Sequence, residues 1–413
     1  MIGRDPADHK RAMRLTRERR SARRAAALFD GALSPRARAL VYRGAVDRSF
    51  DAIVIGAGIV GLACAARLCR GARVLVLERH PRVALENSSR NSGVIHAGLH
   101  HPSEWLRTRL CLRGRELLVR RLKRDELPHA ITGKLIVAED ASGVAELEAL
   151  SARADDRGIA TALLDAREVT ALEPQVIAHA ALLVKPTGVV RTSALVRAIE
   201  AELTDAGALV LLGAEVIGLA PRAGVIEVAI DGHRFEAPRV VMSAGLGTDA
   251  LLTAMGLDVG ALGLRQHYVR GTWLALPEAH RKAIARLVYP LPEKDGLGVH
   301  LTRDVDGYLL AGPDAEWVDT PDFVLAAGKE EPFAERLARY FRPRLDPTTL
   351  HPCSVGVRTR LSAPSEPPRD FAIADASLHG VAGLVALAGI ESPGLTAALA
   401  IAEEVEARLR AHA

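Results

Sequence analysis

The stretch Asp51-Ala-Ile-Val-Ile-Gly-Ala-Gly-Ile-Val-Gly-Leu-Ala-Cys-Ala-Ala-Arg-Leu-Cys-Arg-Gly-Ala-Arg-Val-Leu-Val-Leu-Glu78 decides the fold. It opens on a short apolar run ending in glycine, the pattern of a parallel strand buried on both faces. A helix is predicted over 59–70 and a second strand over 73–78, so the segment reads as a βαβ unit with a right-handed crossover. Gly56-Ala-Gly58-Ile-Val-Gly61 falls at the strand-to-helix junction. Gly56 permits the tight turn, Gly58 lets backbone approach a pyrophosphate, and Gly61 lets helix and strand pack closely. The helix N-terminus then offers N–H groups to an anion. Glu78, seventeen residues beyond Gly61, ends the second strand where a carboxylate accepts hydrogen bonds from ribose hydroxyls. That favours an unphosphorylated adenosine ribose, hence FAD or NAD over NADP.

Outward from this unit, the 413-residue chain is too long for one ordinary core. Strands are predicted over 134–138, 208–212 and 240–245, helices over 143–157, 192–206 and 396–411, and a hairpin over 214–235. From Arg265 to about Pro313 the pattern is rich in strands and turns. The expected class is α/β (α+β overall). A Rossmann-type FAD-binding domain, discontinuous over residues 49–132, 181–264 and 352–413, carries an inserted β-sheet-rich substrate domain over 133–180 and 265–351. The inserted sheet should stand over the cofactor and make a cleft.

The net charge of +4 is uneven, because residues 1–48 hold 13 Lys or Arg against 5 Asp or Glu, which is +8 and leaves 4 − 8 = −4 for the body. A basic extension on a mildly acidic body gives no warrant for a nucleic-acid partner. The extension reads either as a solvated segment or as a basic helix for a partner or an anionic membrane surface. Cys64, Cys69, Cys111 and Cys353 show neither metal-ligand nor disulfide spacing, so no metal is expected and the compartment reads as reducing and cytoplasmic. No apolar run is long enough for a membrane span, and the Arg19-Arg20 and Arg23-Arg24 pairs lack the apolar stretch of a twin-arginine signal. A peripheral contact with the inner face of the membrane is the alternative role for the extension.

FAD is preferred over NAD on a second segment, Asn87-Ser-Ser-Arg-Asn-Ser-Gly-Val-Ile-His-Ala-Gly98, whose small polar side chains and glycines suit backbone packed beside a flavin ring. Near the C-terminus, Gly389-Ile-Glu-Ser-Pro-Gly394 precedes the last predicted helix, with Ser392 as its N-cap and Pro393 in its first turn. The positive end of that helix would face the flavin pyrimidine, which turns anionic on reduction.

With these motifs the chain resembles the D-amino-acid-oxidase-type flavoproteins and, within them, the L-2-hydroxyglutarate dehydrogenase/oxidase family. The resemblance runs through most of residues 50–408. It is carried by Asn91-Ser-Gly-Val-Ile-His-Ala-Gly-Leu99, Arg109-Leu-Cys-Leu-Arg-Gly114, Thr187-Gly-Val-Val190, Gly298-Val-His-Leu-Thr302 and Gly389-Ile-Glu-Ser-Pro-Gly-Leu-Thr396. It implies a flavin that oxidises a small-molecule 2-hydroxy acid to a 2-oxo acid, with 2-hydroxyglutarate the default substrate. Oxygen, a quinone or another protein would take the electrons. The cofactor-binding set comprises Gly56, Gly58, Gly61 and Glu78; Ser89, Arg90, Asn91 and Ser92; Val216, Ala244 and Gly245; and Gly389, Glu391, Ser392, Gly394, Leu395 and Thr396. Arg191 and His100-His101 depart from the family pattern, in which an Asp and a Tyr pair are usual.

Such a reaction removes a hydroxyl proton and a hydride from the same carbon, so it needs a base and a cation for the carboxylate. His96 and His300 are the candidate bases, and His96 is alternatively a covalent attachment point for the flavin. Arg358 and Arg360 alternate along a predicted strand with Thr359 facing the other way, so both guanidiniums share a face. That face is either solvent-exposed or a carboxylate clamp, and the resemblance favours Arg358 for the clamp. Two other readings stand beside this one, an amino-acid oxidase on the same scaffold and a non-catalytic flavin-binding or membrane-adaptor protein.

Overall fold

The computed structural model describes residues 49–292 and 298–411. The expectations for the extension, residues 1–48, lie outside the described residues. Strand Ala52–Ile55, helix Ile59–Leu68 and strand Val74–Glu78 form the βαβ unit, with Val54 opposite Val76 in parallel register. Around it runs a six-stranded sheet in the order Ala372–Ala374, Leu384–Ala388, Val240–Met242, Ala52–Ile55, Val74–Glu78, Leu209–Leu212. The first of these strands is antiparallel to its neighbour and the other five are parallel.

The period of two along each strand sends alternate residues to opposite layers. Ala52, Val54, Val76 and Val241 pack against the helices Ile59–Leu68, Leu106–Arg124, Thr192–Asp205 and Gly394–Ala411. Ile53, Ile55, Leu75, Leu77 and Leu211 pack beneath an antiparallel sheet over 216–237. That sheet is a three-stranded meander of Val216–Arg222, Val225–Ile230 and His233–Ala237, where the sequence reading expected one hairpin. Gly224 and Gly232, both at positive φ, make its two turns.

The second body is a nine-stranded, mostly antiparallel sheet. Along it Lys134–Ala138, Leu287–Pro290, His300–Arg303, Leu309–Gly312, His267–Ala275 and His351–Arg360 pair in sequence. The boundaries expected at 181 and 352 cut through its strands. Ala180–Val184 pairs with Lys134–Ala138, and His351–Arg360 pairs with His267–Ala275 along its whole length. Backbone pairing assigns a strand to a body, and the apolar character of these two segments does not reveal their partners. One face of this sheet packs on helix Glu330–Ala338 through Leu135, Val137, Leu301 and Phe333. The other face, with Leu287 and Tyr289, meets Val94 and Val189 of the first body.

Helix Leu106–Arg124, absent from the sequence reading, crosses helix Gly394–Ala411 at Gly114. A Cβ on Gly114 would lie 2.4 Å from Thr396 O and 2.6 Å from the Ala397 Cα. Alanine at Gly114 gains about 1 kcal/mol of helix propensity, but the atoms it meets are backbone and cannot rotate aside. Overpacking of this kind costs about 1–3 kcal/mol. Gly114→Ala should therefore lower the melting temperature, and a thermal unfolding curve at or above that of the wild type would show that the two helices can separate at no cost.

Candidate active site

The three glycines of the first turn serve different ends. Gly56 has φ +95°, and a Cβ there would stand 2.3 Å from Ser243 O; a Cβ on Gly61 would stand 2.0 Å from Gly56 O. These two glycines close the turn against the neighbouring strand. A Cβ on Gly58 would meet one atom, Ser88 Oγ at 3.1 Å, a side-chain hydroxyl rather than backbone, at a helix N-terminus. Ser88 Oγ accepts from Ile59 N at 2.9 Å. Behind the turn, the buried Glu78 carboxylate accepts from Ala57 N at 2.7 Å and from His80 N at 2.9 Å. Each oxygen keeps acceptor capacity for a further donor. Bare glycine backbone, helix N–H groups and a fixed carboxylate are what a dinucleotide with a free ribose needs, so the residues fit the cofactor expected of them.

Gln266, which sequence reasoning missed, ties two cofactor motifs together. Its Nε2 donates to Gly245 O at 3.1 Å and its Oε1 accepts from Gly389 N at 3.0 Å. Ala244 precedes Gly245 in the same turn, and Val216 is buried in the meander beside it. Ser89 and Asn91 shape their own loop, with Ser89 Oγ donating to Glu86 O and Asn91 Nδ2 donating to Asn87 O and Ser88 O. The Arg90 guanidinium lies over Phe323 at 4.4 Å, and Ser92 is half-buried beside Gly93.

At the C-terminal turn, Gly394 N donates to Glu391 O at 2.6 Å, and the helix runs from Gly394 with Leu395 on its partly buried side. Ser392 is therefore not the N-cap. Its hydroxyl meets His96 Nε2 at 3.2 Å, which brings the two glycine-rich motifs together. Thr396 Oγ1 accepts from His96 N at 3.0 Å and donates to Val94 O at 3.2 Å. The Glu391 carboxylate is committed to Arg107 Nη1 at 3.3 Å and Arg360 Nε at 3.6 Å.

The sheet face that meets this turn carries the candidate reactive groups. Arg358 and Arg360 share it, and Val357 and Thr359 are buried on the other. Arg358 donates only to the Asp314 backbone carbonyl, at 3.3 and 3.4 Å, with no carboxylate in salt-bridge range among the described residues. His300 stacks on Tyr289 at 3.7 Å and meets the edge of Trp273 at 5.3 Å. Its Nδ1 lies 3.0 Å from Gly298 O, so in the neutral ring Nδ1 carries the proton and Nε2 keeps its lone pair. Burial holds His300 well below the ordinary histidine value, and Lys134, His96 and Arg358 push it the same way. Burial, with Lys134 and His101 adding to it, holds His96 at about 3. The structure thus gathers His96, His300 and Arg358 into one electrostatic neighbourhood. Lys134, also missed, belongs to it: the buried ammonium donates to His100 Nε2 at 2.8 Å. Among the described residues no His, Cys, Asp and Glu cluster could hold a metal, and no helix is long and apolar enough to cross a membrane.

Because Gly58 alone of the three glycines is not closed in by backbone, Gly58→Val should keep the secondary structure of cofactor-free wild type while losing flavin absorbance. Full flavin occupancy in that variant would place the cofactor elsewhere.

Residues 51–408 match the DAO family, described as FAD dependent oxidoreductase. The chain is 36% identical over 399 residues to the mitochondrial L-2-hydroxyglutarate dehydrogenase of Arabidopsis thaliana, a match covering 86% of this chain and 82% of that one. It is 27% identical over 354 residues to the L-2-hydroxyglutarate dehydrogenase of Escherichia coli (strain K12), covering 76% and 83%. The structure superposes with a TM-score of 0.79 on dithionite-reduced L-alpha-glycerophosphate oxidase from Mycoplasma pneumoniae with FAD bound, at 23% identity and over 88% of this chain and 95% of that one. That likeness concerns the fold, and it agrees with the glycine turn, the Glu78 carboxylate and the family match over nearly the whole described chain: this protein belongs to the DAO family of FAD-dependent oxidoreductases.

Proposed function

We propose that the protein oxidises a 2-hydroxy acid to the 2-oxo acid, with L-2-hydroxyglutarate as substrate and 2-oxoglutarate as product. One observation carries the reading: an arginine with no carboxylate partner among the described residues shares a sheet face with a neutral imidazole whose Nε2 lone pair is held in place. The names of the two relatives support the choice of substrate. Amino-acid oxidation fits this face less well, because a substrate ammonium would add a third cation beside Arg358 and Lys134.

Bound FAD supplies a hydride acceptor. Arg358 binds the carboxylate next to the reacting carbon through its planar fork of donors. His300 Nε2 takes the hydroxyl proton, its ring held by the Tyr289 stack and the Trp273 edge, and His96 is the second candidate for that role. Residues 1–48, at +8, would bring the enzyme to an anionic membrane surface by charge alone.

Removing a charge-assisted contact from a dry cleft costs about 2–4 kcal/mol, so Arg358→Ala should lower kcat/KM for L-2-hydroxyglutarate by roughly 30- to 1,000-fold with flavin retained. His300→Asn should lower kcat chiefly, read as slower anaerobic flavin reduction; His96→Asn would do so instead if His96 is the base. Both rings are held far below the ordinary histidine value, so they are already neutral at neutral pH. No histidine step should appear in kcat/KM between about pH 5 and 8. An acid limb near the ordinary histidine pKa would point to a solvated base elsewhere. Deleting residues 1–46 should leave anaerobic reduction intact and abolish any sedimentation with anionic vesicles at low salt.

A further inference from the structure

Lys134 begins the strand Lys134–Ala138, whose other inward positions are apolar. Its ammonium contacts His100 Nε2 at 2.8 Å and lies 4.6 Å from the centroid of the Tyr289 ring. Both partners are uncharged, since burial and the Lys134 charge hold His100 well below its ordinary value. An ammonium has three N–H donors, and among the described residues no carboxylate pairs with this one. The Nδ1 of His100 is buried with no hydrogen-bond partner.

Arg358 is in the same condition, with only a backbone carbonyl to bond. A buried cation without a counterion is costly, and among the described residues neither of these two has a carboxylate partner. They flank His300. On one side Leu287–Pro290 and then Lys134–Ala138 follow the His300 strand; on the other come Leu309–Gly312, His267–Ala275 and His351–Arg360. Lys134 lies beside Tyr289, whose ring stacks on His300, and Arg358 stands on the same face three strands beyond the His300 strand, so the imidazole lies between the two cations.

We propose that Lys134, with His100 as its neutral partner, holds the second carboxylate of a dicarboxylic 2-hydroxy acid while Arg358 holds the first, so that the two cations select dicarboxylates over monocarboxylates. This rests on the 2-hydroxy-acid reading above and names the group that sets its substrate class. Burial draws the Lys134 ammonium down to about 7, and an arriving carboxylate favours the charged form again.

The test compares holoenzymes on L-2-hydroxyglutarate and L-2-hydroxypentanoate, which differ by the second carboxylate alone. Lys134→Met should lower the ratio of kcat/KM between the two substrates by roughly 30- to 1,000-fold. Equal slowing on both would assign Lys134 to proton transfer or to architecture and overturn the proposal. Ligand-free Lys134→Met should melt higher than wild type, because an uncompensated buried cation is gone; a lower melting temperature counts against the proposal. Glutarate should raise the melting temperature of wild type by more than that of the variant. Lys134→Gln, which keeps a donor for His100, reads the same ratio should the methionine variant fail to fold. Wild type that oxidises neither substrate sinks the 2-hydroxy-acid reading itself, whereas wild type that oxidises both equally leaves that reading standing and removes the anchor.

Discussion

The two bodies are held in register by the side chain of Asn87. Its Nδ2 donates to Val357 O at 2.5 Å and its Oδ1 accepts from Val357 N at 2.9 Å, the exchange a neighbouring strand would make. The cofactor loop is thereby joined to the strand that carries Arg358, one residue away. Gly356 completes the fit, since a Cβ there would stand 2.7 Å from Arg90 O. Buried backbone groups left unpaired cost about 1–3 kcal/mol each, so this register is strongly preferred over a slipped one. A one-residue slip would turn Arg358 and Arg360 away from the cleft altogether. A second tie runs through Glu391, which joins Arg107 on helix Leu106–Arg124 to Arg360 on the sheet. Asp370 in turn accepts from Leu106 N and Arg107 N, so a residue distant in sequence caps the helix that carries Arg107.

These ties and their neighbours occupy the described carboxylates nearest Arg358. Asp314 lies close to Arg358, but its carboxylate is drawn off by Lys329 Nζ at 2.9 Å and Thr272 N at 2.7 Å, leaving the carbonyl for the guanidinium. Glu391 is likewise spent on Arg107 and Arg360. Neutral histidines fill the remaining positions around Lys134. Among the described residues the partners of Lys134 and Arg358 are all neutral, so an entering anion would supply the missing charge. Binding energy from carboxylates can then be used to place the reacting carbon, because the cations that supply it are fixed beforehand.

The cofactor half was legible because each glycine answers a local backbone need, and such needs are written in the sequence where they arise. Arg358 and Arg360 were legible for a similar reason: alternation along a strand is a local rule. What could not be read locally was pairing. The boundaries at 181 and 352 misplace two strands whose hydrogen-bond partners lie far along the chain. Helix Leu106–Arg124 was missed because arginines crowd its solvent face, and its buried stripe of Leu110, Cys111, Gly114, Leu118 and Leu122 is interrupted at the start by the buried polar Arg107 and Thr108. The second turn of the meander was available in Asp231-Gly232, a strong hairpin dipeptide. The strand expected over 134–138 begins on a lysine, and that lysine was the signal passed over. A charged residue in a doubly buried strand has to answer to something on one of its faces.

The two departures from the family pattern now separate by position. Arg191 precedes helix Thr192–Asp205, where it makes no side-chain cap, and it pairs with Asp306 at the surface. Its cost is that of an uncapped helix. His101 stacks on Trp105 at 5.8 Å, at the mouth of the helix that Asp370 caps. His100 is the departure that bears on the proposed anchor, because its Nε2 is the hydrogen-bond partner of Lys134. A phenol oxygen at that position could also accept, but its own proton would seek an acceptor in a region that offers cations and neutral rings. An imidazole accepts at Nε2 and presents its other N–H at Nδ1, so the ring orients the ammonium and adds a donor toward an incoming anion. On this account the histidine is compatible with a dianionic substrate, and it is the position at which a change of side chain would reach the ligand through Lys134.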